Sequence, residues 1–310
     1  MTDVVSFSGV SKRFGDFRAV DDLSFVLPRG SVTGFLGPNG AGKTTSLRMM
    51  LGILSPDAGM ISVFGQHSVK DVRQRVGYLP EERGLYRRMR ALDAIVYIAT
   101  LKGLASREAK KRALALLDRF GLTPFGRVRI QGLSKGMSQK IQIISCLVPG
   151  PEFLILDEPF SGLDPVNQGD LEAMIAELAA QGTTVLFSTH TMEHAERLCD
   201  RLIIINQGRK LFEGGPDQAR LLLPRRARIE AEGDLSFLSA LSGVACVQPP
   251  APGECMWEIE LREGADGKAL IGTCVKQGIV PTHFDIAQPS LREVFVVLVG
   301  EHANSSQAAA

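Results

Sequence analysis

The chain has 310 residues, 45% of them hydrophobic, and a net charge of +1 from 35 basic against 34 acidic residues. That length and apolar content supply cores for two domains, and the balanced charge argues against a nucleic-acid partner. Five cysteines without a C-x-x-C pair fit reduced intracellular thiols rather than a disulfide scaffold, and no apolar run is long enough to span a membrane.

In chain order, the first informative element is Ser31 to Leu36, a short apolar run that reads as a buried strand, followed at Ser46 to Leu51 by helix-forming residues. Between them stands Gly37-Pro38-Asn39-Gly40-Ala41-Gly42-Lys43-Thr44-Thr45. Its glycines allow a tight turn with N–H groups aimed at phosphate oxygens, and the positive end of the following helix favours the same anion. Strand, glycine-rich loop, Lys-Thr and helix together form a phosphate-binding loop for a nucleoside triphosphate. Lys43 would reach the β- and γ-phosphates, Thr44 the magnesium and Thr45 the α-phosphate.

Residues 4–80 and 150–220 read as strand-rich α/β segments, with helix signals between them at Asp93 to Lys102 and Ser106 to Phe120, the second stopped by Gly121. Arg83, Arg87, Arg88 and Arg90 cluster just before these helices, as a solvated face or a contact for a membrane partner. Leu133-Ser134-Lys135-Gly136-Met137-Ser138-Gln139-Lys140 heads a further helical stretch from Ile141 to Val148. Phe153 to Leu156 is a continuous apolar run ending in Asp157-Glu158, the pattern of a strand buried on both faces whose C-terminal end carries chemistry. Asp157 can hold the water shell of magnesium and Glu158 can polarise an attacking water. Ser161-Gly162-Leu163-Asp164 follows, and the apolar strand Thr183 to Ser188 leads into Thr189 and His190.

This order of motifs, over roughly residues 4 to 220, resembles the nucleotide-binding domain of ABC transporters. The resemblance implies a P-loop NTPase with a RecA-like α/β core and an inserted helical subdomain at about 88–149. It also implies ATP and Mg2+ as cofactors and head-to-tail homodimers in which each ATP lies between the phosphate loop of one subunit and the signature motif of the other. Ser134 and the Gly136 N–H would then touch the γ-phosphate held by the partner. His190 would contact the γ-phosphate in its own subunit, Glu158 would be the catalytic carboxylate, and Asp164 would link the two sites. Phe14 would stack on adenine, although Phe17 lies close by and either could belong to the core. Three positions depart from the usual pattern. Glu81 stands where a glutamine joins magnesium, water and the membrane partner, and a carboxylate there can still ligate the metal. Lys135 and Met137 replace a glycine and a glutamine of the signature. The stretch from Tyr78 to Tyr86 is similar to that of bacterial sodium- and drug-efflux ATPases.

Two rival motifs fail on context. His190-Thr191-Met192-Glu193-His194 fits H-x-x-E-H, but its first histidine directly follows a strand instead of sharing a helix with the second. The Asn-Lys-x-Asp of a GTPase is absent. A soluble ABC ATPase in regulation, translation or repair is the alternative, and neither an internal repeat nor sustained heptads support it. A regulator that barely hydrolyses is a third reading, suggested by Glu81 and Lys135.

After the linker Leu223 to Arg226 no nucleotide motif occurs, so 1–223 is expected as the nucleotide-binding domain and 224–301 as a small α+β accessory domain. Strands at Ala227 to Ala231, Cys246 to Gln248, Met256 to Leu261 and Val280 to Ile286, with helices at Leu235 to Leu241 and Lys268 to Gln277, give βαββαβ, a ferredoxin-like order. Ser290 with Glu293 forms a capping box for a last helix lined by Leu291, Val294, Phe295 and Leu298. Pro249 to Gly253 reads as a loop and 302–310 as a disordered tail. The expectation is an ATP-hydrolysing exporter subunit, peripheral on the cytoplasmic face of the membrane and bound to integral-membrane permease subunits. The polar start Met1-Thr2-Asp3 has no signal-peptide layout.

Overall fold

The computed structural model describes residues 3–308 except 68, 83, 252 and 263, so Met1, Thr2, Arg83, Pro252, Ala309 and Ala310 of the readings above lie outside the described residues. The chain divides into two compact units, Met1–Pro216 and Asp217–Ala310.

The first unit opens with β1 (Asp3–Phe14) and β2 (Phe17–Pro28), followed by β3 (Val32–Leu36), α1 (Lys43–Met50), β4 (Ala58–Val63) and β5 (Val76–Leu79). Helices α2 (Ala91–Leu101), α3 (Ser106–Arg119) and α4 (Lys135–Leu147) come next, then β6 (Phe153–Asp157), α5 (Pro165–Ala180), β7 (Thr184–Thr189), α6 (Met192–Leu198), β8 (Arg201–Asn206) and β9 (Arg209–Gly214). Strands β2-β1-β4 form an antiparallel sheet, and β5-β6-β7-β3-β8-β9 form a second sheet, parallel except for β9.

The larger sheet is buried on both faces, as its apolar strands require. Along β6, Phe153 and Ile155 join the core shared with β1, β2 and α1, while Leu154 and Leu156 join the core under α5. Helices α2, α3 and α4 share a core of their own, including Ile95, Leu117, Ile141 and Ile144.

In the second unit a short helix, α7 (Pro216–Arg220), leads to β10 (Arg225–Glu230), β11 (Val244–Gln248), β12 (Met256–Leu261), α8 (Gly267–Lys276), β13 (His283–Ala287) and α9 (Leu291–Ala308). The sheet order is β11-β12-β10-β13, all antiparallel, so each strand-helix-strand connection skips one neighbour, as in a split βαβ fold. The element expected as a first helix is a 3-10 turn, Ser236–Ala240, packed through Leu238. Its bonds span three residues, Leu238 N–H to Leu235 O at 3.0 Å and Leu241 N–H to Leu238 O at 3.1 Å, the tighter 3-10 pattern. The capping box forms: Glu293 N–H donates to Ser290 Oγ at 3.2 Å, and Ser290 N–H to Glu293 Oε2 at 2.8 Å. Ser290 N–H and, second, its Oγ–H at 2.8 Å both donate to Oε2 and hold the Glu293 carboxyl below its ordinary range, with lesser help from Arg226. Where a disordered tail was expected from His302, the backbone stays helical to Ala308. No glycine or proline interrupts residues 301–308, and an established helix propagates at little cost.

Candidate active site

The C-terminal ends of β3, β6 and β7 are adjacent, because β7 pairs with β6 on one side and β3 on the other. In an open α/β sheet this edge is where ligands bind. Three segments emerge there: the loop 37–42 into α1, Glu158 after β6, and His190 after β7. Gly42 carries a φ of 101°, and a Cβ there would overlap the carbonyl oxygen of Ala19, so only glycine lets the loop enter α1. The turn after β8 supports the loop from behind, since Gly208 N–H donates to Ala41 O at 3.0 Å. Helix α1 begins without a side-chain cap or an acidic residue in its first turn, which leaves its N-terminal donors aimed at an anion.

A cavity of about 500 Å³ opens over the loop, lined by Phe17, Ala19, residues 38–45, Glu81, Glu158, Ser161 and His190. Lys43 is buried, with its ammonium donating to Gly37 O at 2.7 Å and Pro38 O at 3.2 Å, and standing 3.6 Å from Glu158 Oε1. His190 Nδ1 lies 3.1 Å from both carboxylate oxygens of Glu158. Glu158 itself has φ 47°, a left-handed conformation unusual for a non-glycine residue. Its N–H is shared between Ser188 Oγ at 3.0 Å and Ser188 O at 3.2 Å.

Asp157 is fully buried. Its Oδ1 accepts a 2.5 Å hydrogen bond from Ser188 Oγ, whereas Oδ2 has no partner among the described residues. A buried carboxylate oxygen left unpaired is costly unless something binds it, and hard oxygen donors suit a divalent cation, so Asp157 fits magnesium. Burial and, second, the nearby Asp157 carboxylate push the Tyr78 phenol up to about 12, so it stays a neutral neighbour.

The sequence-selected residues are therefore brought together in part. Residues 38–45, Glu81, Glu158 and His190 line one cavity, and Asp157 abuts it through Ser188. Phe14 does not line it; Phe17 does. Both rings are exposed across the two-residue turn at Gly15 and Asp16, so neither belongs to the core. Ser134, Gly136 and Asp164 also lie outside the lining. Ser134 caps α4, its Oγ accepting from Met137 N–H at 3.2 Å, and Asp164 caps α5, accepting from Asn167 N–H at 3.0 Å. Those Asn167 contacts hold the Asp164 carboxyl below its usual range. The two caps meet where Gly136 packs on the Asn167 side chain, so close that a Cβ at 136 would have to displace it. No local pattern announces the contribution of Ser188 or separates Phe17 from Phe14, since both depend on strand pairing. Among the described residues no group of His, Cys, Asp and Glu is arranged to hold a metal by itself, and none of the helices is long and apolar enough to cross a membrane.

The ABC transporter family profile matches residues 20–161. An ABC transporter ATP-binding protein of Bacillus subtilis, YhaQ, is 39% identical over 298 residues, covering 96% of this chain and 99% of its own length. The Nod factor export ATP-binding protein I of Burkholderia lata is 40% identical, covering 68% of this chain and 71% of its own. A solved ATP-binding subunit of an ABC transporter is similar with a TM-score of 0.65 at 32% identity, over 71% of this chain and 92% of that chain.

Proposed function

The chain belongs to the ATP-binding subunits of ABC transporters, which are ATPases, and on that premise we propose that it acts as a head-to-tail homodimer driving separate permease subunits of an exporter. The observation that carries the dimer is the division of the site: Ser134 and Gly136 stand outside the cavity formed by residues 38–45, Glu158 and His190. A second copy would bring its α4 N-terminus to the γ-phosphate, completing a ring of donors around one phosphoryl group. The direction of transport takes its support from the export protein of Burkholderia lata, and attachment to the cytoplasmic membrane face follows from having permease partners.

Within one subunit, residues 38–45 would bind and orient the phosphates through loop N–H groups and the Lys43 ammonium, while Phe17 offers the adenine a face. Asp157, Thr44 and Glu81 would hold magnesium. Magnesium bound there would supply neutralisation of phosphate charge. Glu158 would take the proton of the attacking water, with His190 keeping its carboxylate turned into the cavity. Residues from about 224 onward serve assembly or regulation.

Light scattering of Glu158→Gln with ATP and magnesium tests this reading. The substitution should cut turnover by roughly 10²-fold or more while retaining nucleotide. The complex should have dimer mass, and adding Ser134→Arg should return it to monomer. A monomer with ATP bound, or a dimer indifferent to Ser134→Arg, would overturn the shared-site arrangement.

A further inference from the structure

His194 is the buried member of the H-x-x-E-H run, and it sits on α6. Its side chain is 4% exposed, and its Nδ1 lies 2.7 Å from Glu172 Oε1 of α5. Arg197 reaches the same oxygen at 3.2 Å, so Glu172 is held from two sides. The imidazole stacks flat on Phe160, with centroids 3.9 Å apart and planes inclined by 15°. The opposite constraint on Phe160 comes from Phe187 of β7, edge-on at 5.7 Å and 83°.

Phe160 is two residues past Glu158, whose left-handed backbone is disfavoured for a side chain of its size. Such a conformation persists only where its surroundings over-determine it. Before the residue, Ser188 fixes the Glu158 N–H; after it, Ser161 N–H returns to Glu158 O at 3.2 Å, Gln139 Nε2 holds Pro159 O at 3.1 Å, and Phe160 is clamped. Removing the clamp frees the segment on the side where no strand pairing restrains it.

We infer that His194 is a positioning residue for hydrolysis: by stacking on Phe160 while bonded to Glu172, it keeps the Glu158 carboxylate aimed into the nucleotide cavity. The inference rests on the reading of Glu158 as the hydrolytic carboxylate. It differs from a packing role because the ring plane, rather than the filled volume, is the working contact.

The test is steady-state ATPase kinetics, ATP affinity by calorimetry and thermal midpoints for full-length H194A, H194F and H194Q, with Glu158→Gln in parallel. His194→Ala should lower kcat roughly tenfold, since misplacement of a reacting group by a fraction of an ångström is enough, while KM and ATP affinity change less than about twofold. His194→Phe keeps the stack and should restore most of kcat; His194→Gln keeps the hydrogen bond without the ring and should resemble alanine. If His194→Ala proves unstable, the order of the other two decides: glutamine outperforming phenylalanine overturns the inference. So does a kcat within about twofold of the parent in His194→Ala, or a kcat loss matched by lost ATP affinity. Glu158→Gln near the parent rate would instead overturn the reading of Glu158, whereas an inactive Glu158→Gln beside a normal His194→Ala rejects His194 alone.

Discussion

The edge above β3, β6 and β7 and the four-stranded sheet of the second unit are both rich in charge, and they treat it in opposite ways. In the second unit Arg226 is ringed by Glu260 at 3.4 Å, Glu258 at 3.9 Å and Glu293 at 4.0 Å, and Arg228 meets Glu258 at 3.3 Å. These pairs follow from register, since Arg226 faces Glu260 and Arg228 faces Glu258 across β10 and β12. At the first edge Asp157 keeps a buried oxygen unpaired, Glu158 is held in an unfavourable backbone conformation, and Lys43 leans on main-chain carbonyls. Charges satisfied across strands support a fold, whereas spare ones held at some cost are available to a ligand.

The contrast can be broken most directly at Lys43. Lys43→Ala removes charge-assisted bonds to phosphate, each worth about 1.5–3 kcal/mol, so ATP affinity should fall by roughly 10²-fold in calorimetry with the fold intact. Unchanged affinity would mean that this charge is structural after all. A smaller effect compares thiols. Burial raises Cys146 to about 11, so at pH 8 it holds less thiolate than an ordinary cysteine, whereas Cys246 and Cys255 are exposed. Alkylation of the native protein followed by mass spectrometry should label those two first and Cys146 at least roughly tenfold more slowly, with urea abolishing the difference. Smallest of all is the expected consequence of Arg226→Met, which loses partly exposed ion pairs: a stability change under about 1 kcal/mol in urea titration, with ATPase rate unchanged. A rate change there would show that the second unit's charges do more than hold its sheet.

Local patterns carried the sequence reading far. The strand, glycine loop and Lys-Thr helix start at 31–51 are contiguous, and the alternation of β6 between two cores is readable in Phe153 to Leu156 as an unbroken apolar run. The βαββαβ order of the second unit was equally local, although its first helix is only a 3-10 turn. What escaped was tertiary. Whether Phe14 or Phe17 faces the loop depends on how β1 and β2 pair around their turn, and Ser188 gains its two bonds only because β7 lies beside β6. His194 looked like half of a metal motif because its partners, Glu172 and Phe160, belong to other elements.

Ser188 Oγ donates to Asp157 and accepts from the Glu158 N–H, so the two neighbouring acids hang from a single atom on another strand. Neither can be adjusted alone. A shift of Asp157 would drag Glu158 with it for as long as residue 188 kept its hydroxyl, and serine or threonine there can both donate to the one and accept from the other.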